Sequence, residues 1–396
     1  MRFLVLTKKF PYPPKDGESL LISNFYYSLK SKNHRIDILS FNTIKHFFKI
    51  SELPEYANPY ENIWEIYLDN RVKLLPAIFN LFSHIPYNIS RFINNDFKNK
   101  LTEILTANQY DVIIFESIFL HPYLEIANKY SSAKKIMRAH NVEFEIWQRL
   151  AINEKNPLFK FYKNYLSKKL KKYEILAISK YEQVITLTER DLNTYMLYSN
   201  LKSKMVLPAG IKNIEKTNIE IKKETKLKIS FIGSLDWMPN LEGLNWFIEN
   251  CWHKNNLKTT NIELHIAGRN TPEWLFSLNE ENIFIHGEVE NSAKFLSSYP
   301  LMIVPLLSGG GMRLKILEAM SVGAVVISTE LGFEGIEAVD NVNILKANTP
   351  EEFIEKINFC SEHPQILPTI SKNAKELFSL NYEINSIVNK FLNSIQ

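Results

Sequence analysis

Two cations stand beside the one glycine triplet of the chain. Ser308-Gly309-Gly310-Gly311 is followed by Arg313 and Lys315, and Glu318 comes three residues later. Glycines between a strand and a helix let a ligand approach the backbone closely. The free N–H groups of the helix's first turn then favour an anion. Cations at that end oppose the helix dipole, at ~0.3–1 kcal/mol each, and a bound anion reverses the sign. The pattern points to an anion held at the glycine turn, with Arg313 and Lys315 as counter-charges. The plainer alternative leaves both side chains in water. Glu318 sits among Leu314, Ile316, Leu317, Ala319, Met320 and Val322, which cover most of a helix circumference, so its carboxylate needs a partner. Lys315 on the same face is one candidate. A pair of sugar hydroxyls, accepted in bidentate fashion, is the other.

A second group of polar residues follows strand-like runs in the first half. Glu116-Ser117 ends the run Asp111–Phe115, and Arg138-Ala139-His140-Asn141-Val142-Glu143 follows Ala133–Met137. Lys8–Ser19 is a long loop with three prolines, then Asp16-Gly17-Glu18, after a first strand at Arg2–Thr7. Open α/β sheets place ligands at such strand ends. His140 is singled out by position, since a lone histidine is more often structural. Asp16, Glu116 and Arg138 are the weaker candidates of this group.

The elements that must position these groups read as two successive strand–helix series. In the first, strands are expected at Arg2–Thr7, Ile36–Phe41, Ile63–Leu68, Asp111–Phe115, Ala133–Met137 and from Gln183, with helical segments across 74–108 and a helix start at Thr188. In the second, strands are expected at Leu227–Ile232, Ile262–Ala267, Ile283–His286, Leu301–Leu306, Ala324–Ser328 and Asn343–Leu345, with a helix over Met312–Ser321 stopped by Gly323. Strand, glycine loop, helix, strand implies a parallel sheet with right-handed crossovers. The polar, charge-rich run 208–226 is the linker. The expected architecture is α/β: two Rossmann-like, doubly wound parallel-sheet domains facing a cleft. The first spans 1–207, the second 208–377, and a C-terminal helix at about 378–396 packs back on the first.

Composition narrows the function classes. The chain has 396 residues, enough for two cores, and is 45% hydrophobic and 23% charged. A net charge of +4 is too small to argue a nucleic-acid partner. Cys251 and Cys360 make no metal-like spacing. The N-terminus lacks a secretory pattern, and no uncharged run approaches the ~18 residues of a membrane span. The expectation is a cytoplasmic protein. The lysine-rich helix expected at 157–180 alternates with aromatic and aliphatic residues and can rest on anionic lipid at the inner face of the plasma membrane; a solvated face on a packed helix is the plainer reading. A dinucleotide dehydrogenase is disfavoured, because Thr7-Lys8-Lys9-Phe10 replaces the Gly-x-Gly-x-x-Gly expected after the first strand.

The stretch PLLSGGGMRLKILEAMSVGAVVIST resembles the donor-binding signature of GT-B glycosyltransferases, in particular the retaining family four (group 1), in a bacterial polysaccharide-type branch. FIGSLDWMPNLEGLNWFIE and MRAHNVEFEIWQRLA resemble the family's C-domain opening and histidine-bearing loop. The resemblance implies a nucleotide-diphospho-sugar donor, a glycan or lipid-linked acceptor with Asp16, Glu116 and Arg138 as candidates on its side, and no further cofactor. It places Glu318 on the ribose hydroxyls, Gly309 to Met312 at the diphosphate or sugar, and His140 at the donor sugar. Gly17 would approach the phosphates, and Gly287, Glu288 and Val289 would run past the base. Gly233 and Ser234 occupy the first C-domain loop, where the family's arginine is missing. Gly310 stands where the family has its first glutamate. Arg313 and Lys315 are then expected to neutralise the diphosphate, with no metal. A nucleotide-sugar epimerase of the same fold, or a nucleotide-sugar-binding protein without activity, remain as alternatives.

Overall fold

The computed structural model describes every residue except 15, 74, 75, 77, 78, 213–225, 255–260, 279, 310, 311 and 396. The chain divides into two compact units, 1–208 with 388–396 and 209–387.

The first unit is built on a seven-stranded sheet. Its strands are β1 (Arg2–Thr7), β2 (Arg35–Thr43), β3 (Ile63–Leu68), β4 (Val112–Glu116), β5 (Lys134–Ala139), β6 (Gln183–Thr186) and β7 (Lys204–Val206). Their order is β3-β2-β1-β4-β5-β6-β7, and every pair is parallel. Central strands of a parallel sheet are covered on both faces and so read as continuous apolar runs; Phe3 to Leu6 of β1 are completely buried. The helices used below are α1 (Gly17–Ser31), α2 (Asn95–Ala107), α3 (Glu143–Ile152), α4 (Pro157–Ile178) and α5 (Glu189–Met196). Asp16, Asn94, Asn156 and Thr188 accept backbone N–H bonds at the starts of α1, α2, α4 and α5, each replacing a bond the first turn lacks.

The second unit holds six strands: β8 (Leu227–Ile232), β9 (Ile262–Ala267), β10 (Ile283–Gly287), β11 (Leu301–Val304), β12 (Val325–Ser328) and β13 (Leu345–Lys346). The order is β10-β9-β8-β11-β12-β13, again parallel. Its helices include α6 (Met238–Phe247), α7 (Ser292–Leu296), α8 (Leu314–Val322), α9 (Pro350–Glu362) and α10 (Leu367–Asn381). Gly243 of α6 lies so close to β11 that a Cβ there would come 2.2 Å from the Pro305 carbonyl oxygen. Gly323 ends α8 at φ +90, bonding the carbonyls of Ala319 and Met320. The last helix, α11 (Ile384–Ile395), begins in this unit. Its Phe391 then packs on Phe3 and Phe25, with ring centroids 6.2 and 5.1 Å apart.

Two sequence expectations change, and a third lies largely outside the described residues. The helix after the glycine triplet starts at Leu314 rather than Met312, because Arg313 is extended (φ −92, ψ 94) and serves as its N-cap. The helical reading of 74–108 resolves into a short turn of helix at Tyr87–Ser90 and α2, with 74, 75, 77 and 78 outside the described residues. The linker expectation falls almost wholly on 213–225, also outside them.

Candidate functional site

Strand order reverses between β1 and β4 in the first sheet and between β8 and β11 in the second. Crevices beyond the strand ends open at such points. Both sheets carry their charged residues there.

In the first unit the ends of β1, β4 and β5 bring together Lys8, Lys9, Glu116, Arg138 and His140, and α1 adds Asp16, Gly17 and Glu18. Glu116 is completely buried and accepts three bonds, from the Tyr26 hydroxyl, from Arg138 and from His140 Nε2 at 2.6 Å. Burial would raise its carboxyl, but Arg138 and His140 hold it below the usual carboxylate range. The His140 side chain is 8% exposed; its Nδ1 lies 3.5 Å from Glu18. Burial opposes its charge, yet the bonds to Glu116 and Glu18 raise it above the ordinary imidazole value. Glu18 also meets Lys8 at 3.2 Å and Lys9 at 3.3 Å. Against burial, the charge of Lys8 and the bond from His140 drive it far below the carboxylate range. Asp16 caps α1 and accepts from Lys9 at 2.7 Å. Gly17 is the first residue of α1.

Glu116 and Arg138 therefore do not fit the acceptor-side role read from the sequence. Arg138 is 3% exposed, its guanidinium 4.0 Å over the Phe25 ring and bonded to Glu116. Both groups spend their charge on each other and on His140. Ser117, just after Glu116, has φ +132 and ψ 152, a region nearly reserved for glycine and worth of order 1–3 kcal/mol of strain. Behind His140, the buried Glu174 of α4 accepts the N–H groups of Glu143 and Phe144, both at 3.0 Å, and so caps α3. Burial pushes its carboxyl up to about 8.

In the second unit Lys315 is the first-turn cation. Its Nζ donates to the Ile232 carbonyl at 3.1 Å and to Asn240 Oδ1 at 3.0 Å, and lies 4.9 Å over the Phe231 ring. Burial, and then the charge of Arg313, push its ammonium down to about 7. Arg313, 7% exposed, lies 5.1 Å over the Trp237 ring. Gly309 has φ +103, and a Cβ there would come 3.0 Å from the Arg313 guanidinium and 3.2 Å from Trp237, so a side chain is excluded twice. Gly310 and Gly311 lie outside the described residues. Met312 packs on the second unit's core.

Beside them, Gly233 and Ser234 follow β8. The Asn240 amide donates to the Ser234 carbonyl at 2.9 Å, and Arg269 donates to the Ser234 hydroxyl at 3.3 Å. Glu318 does not pair with Lys315, which reaches away toward β8. Burial raises its carboxyl, and a bond from Ser292 at the start of α7 partly opposes that. Gly287 ends β10 at φ +67, Glu288 is exposed, and Val289 packs on the core.

Sequence reasoning passed over Lys8, Lys9, Tyr26 and Glu174 in the first unit, and Trp237, Asn240 and Arg269 in the second. The two lysines and Arg269 each follow a strand directly, a signal that was present. The others are set by partners 21 to 90 positions away. Among the described residues no three His, Cys, Asp or Glu side chains gather as a metal set.

Residues 226–363 match the family model described as "Glycosyl transferases group 1". A curated protein of Klebsiella pneumoniae, a 44.6 kDa protein in the cps region, is 24% identical over 403 residues, covering 98% of this chain and 97% of its own. Among solved structures, Anabaena HepE in complex with UDP superposes with a TM-score of 0.71 at 13% identity, covering 100% of this chain and 99% of that one. Sucrose-phosphate synthase from Thermosynechococcus elongatus gives 0.68 at 13% identity, with 99% and 98% covered. The family match lies in the second unit, and the fold shared along the whole chain with these solved structures is the two-domain, Rossmann-like GT-B fold.

Proposed function

We propose that the protein transfers a sugar from a nucleotide-diphospho-sugar to a hydroxyl of a glycan or lipid-linked acceptor, with retention at the anomeric carbon, in surface polysaccharide assembly. The observation that carries the reading is the Arg313–Lys315 pair at the end of the second sheet, where Lys315 is held by a carbonyl, an amide and a ring. A buried ammonium near neutrality regains its charge when an anion joins it. Two structures of one protein of this fold support the ligand class, since HepE is seen in complex with UDP and with UDP-glucose. The cps-region relative supports the polysaccharide context.

In this reading the anomeric carbon's bond to the diphosphate breaks while the acceptor oxygen bonds from the same face, and the acceptor proton passes to the departing phosphate oxygen. Negative charge grows on the leaving group. Arg313, Lys315 and the amides opening α8 stabilise it, and losing one such donor costs ~2.7–4 kcal/mol of barrier. The two cations are not interchangeable, because Arg313 offers a planar fork and Lys315 a point charge. Glu318 accepts the ribose hydroxyls, and the Gly287–Val289 backbone passes the base. His140, held by Glu116 and Glu18, orients the donor sugar near its reacting carbon. Its Nδ1, whose partner is 3.5 Å away, is the ring atom a substrate oxygen can claim.

The test incubates the protein with a panel of nucleotide-diphospho-sugars and hydroxyl acceptors and reads the product's anomeric configuration by NMR. Acceptor-dependent release of the nucleoside diphosphate with a retained configuration supports the proposal. Inversion, or an isomerised free sugar without an acceptor, overturns it.

A further inference from the structure

One surface of the first unit serves neither cluster. Phe82, Leu158, Phe161, Phe79, Ile152 and Phe159 are 88, 80, 75, 73, 62 and 56% exposed. Single exposed apolar residues are ordinary, but a contiguous set marks an interaction site. These are held together. The Tyr165 hydroxyl donates to the Leu81 carbonyl at 2.8 Å, and Lys169 donates to the Asn80 carbonyl at 2.6 Å. The turn bearing Phe79 and Phe82 is thus tied to α4.

Helical spacing sorts α4 into two faces. Leu166, Leu170 and Ala177 are buried on one. Leu158, Phe161, Tyr165, Lys168 and Lys172 fall at i, i+3, i+7, i+10 and i+14, a single outward stripe, all of them exposed. It begins apolar and ends cationic. Along α4 the charges are Lys160, Lys163, Lys168, Lys169, Lys171, Lys172 and the buried Glu174, so every exposed charge of the helix is positive.

We propose that this surface docks the protein on a bilayer rich in anionic phospholipid, with the aromatic tip in the headgroup–acyl boundary and Lys168 and Lys172 on the headgroups. Apolar insertion beside cations is the combination such a surface rewards. A second copy of the chain fits less well, because the helix presents only positive exposed charges and so offers its own copy no carboxylates to pair with Lys168 and Lys172. The helix lies on the membrane rather than through it: among the described residues no helix is long and apolar enough to cross one. The docking surface lies within one unit and does not depend on the transferase reading.

The experiment is co-sedimentation of the full chain with vesicles of phosphatidylglycerol and phosphatidylcholine (1:1) and of phosphatidylcholine alone. The expected result is at least about ten-fold stronger partition to the anionic vesicles. It should weaken in 0.5 M salt, where screening is short-ranged. Leu158→Ser with Phe161→Ser, and separately Lys168→Glu with Lys172→Glu, should each lower it at least about ten-fold. All four residues are exposed, so circular dichroism and the nucleotide-induced thermal shift should match the parent chain. No partition by the parent, or full partition by both variants, overturns the proposal. So does a dimer in light scattering that the Ser variant dissociates without any vesicle binding by the parent, which assigns the surface to a second copy.

Discussion

In the first unit Lys8, Lys9, Arg138 and His140 each meet a carboxylate of their own unit. In the second, Lys315 is held by a carbonyl, an amide oxygen and a ring, beside another cation. Both clusters stand where strand order reverses, yet the cations of the first meet carboxylates, whereas Lys315 in the second meets neutral groups and feels a neighbouring cation. A matched cluster fixes geometry, because removing any member strands a buried charge. A buried ammonium held by neutral groups, as Lys315 is, can take its counter-charge from a ligand. The comparison teaches that charge at a strand end is not enough to name a binding site; what already neutralises it decides.

The largest test of that difference is Glu116→Ala. It leaves Arg138 and His140 buried without their carboxylate, a loss of about 3–5 kcal/mol of folding stability. The pH dependence has two signs. The Glu116 carboxyl is depressed, so its contribution is present above the ordinary carboxylate value of 4.5 and is lost as pH falls. His140 is raised, so its contribution is complete below 6.5 and is lost as pH climbs through its folded value. Denaturation of the parent should therefore show the pair's largest contribution between about 4.5 and 6.5, and the variant should lose it. An Ala variant as stable as the parent would mean that the first cluster is not the closed network described.

Arg313→Ala and Glu318→Ala come next. Each should lower turnover at least a hundredfold, ~2.7 kcal/mol of barrier, while the protein stays folded. Activity within a few-fold of the parent in either variant would remove that residue from the donor site and erase the contrast between the units.

How much of this was legible beforehand depends on distance along the chain. β1, β8 and β9 occupy the spans expected from their apolar runs, since a strand covered on both faces has a local signature; the edge strand β3 also does, through its apolar residues Ile63, Ile66 and Leu68 among β-formers. β7, only Lys204–Val206 and at the sheet edge, has too few residues to show one. Thr188 was readable as an N-cap because the bond it makes is three residues away. Arg313 and Lys315 were readable as cations beside glycines, but not in which direction they point. Lys315 turns to Asn240, 75 positions back, and Arg313 falls outside the helix over Trp237. Glu116 looked like a ligand-binding carboxylate until Tyr26, 90 positions earlier, and Arg138 closed on it. Local pattern fixes elements; pairings between elements fix what a charge is free to do.

Lys315 gives a smaller effect with a distinctive pH signature. Its ammonium is pushed down to about 7 in the free protein, and a bound diphosphate should raise it. Nucleoside diphosphate binding then takes up a proton, and Kd should weaken up to tenfold per unit as pH rises above about 7, the ~1.4 kcal/mol of one pKa unit. Lys315→Met should flatten that slope, whereas His140→Gln should leave it. Without ligand the sign reverses: the folded chain holds fewer protons here than the unfolded one between about 7 and 10.5, so stability should rise with pH across that range and the Met variant should lose the rise. Calorimetry in two buffers of different ionisation enthalpy counts the proton directly. A pH-independent Kd in the parent would mean that Lys315 does not meet the diphosphate.

The smallest effect probes what the closed cluster costs. Ser117 holds φ +132 and ψ 152 directly after Glu116, and its hydroxyl receives only a long bond from the Phe119 N–H, at 3.5 Å. Alanine keeps the Cβ that opposes this conformation and loses the hydroxyl. Glycine removes the Cβ but gains unfolded-state freedom worth ~0.4–1 kcal/mol. Relief of strain of order 1–3 kcal/mol should outweigh that, so Ser117→Gly should be at least as stable as the parent and about 1 kcal/mol more stable than Ser117→Ala. At an unstrained position the order is the reverse. Urea midpoints of the two variants, compared at equal slope, decide it. If alanine proves the more stable, the turn is relaxed, and the placement of Glu116 against His140 carries no backbone cost.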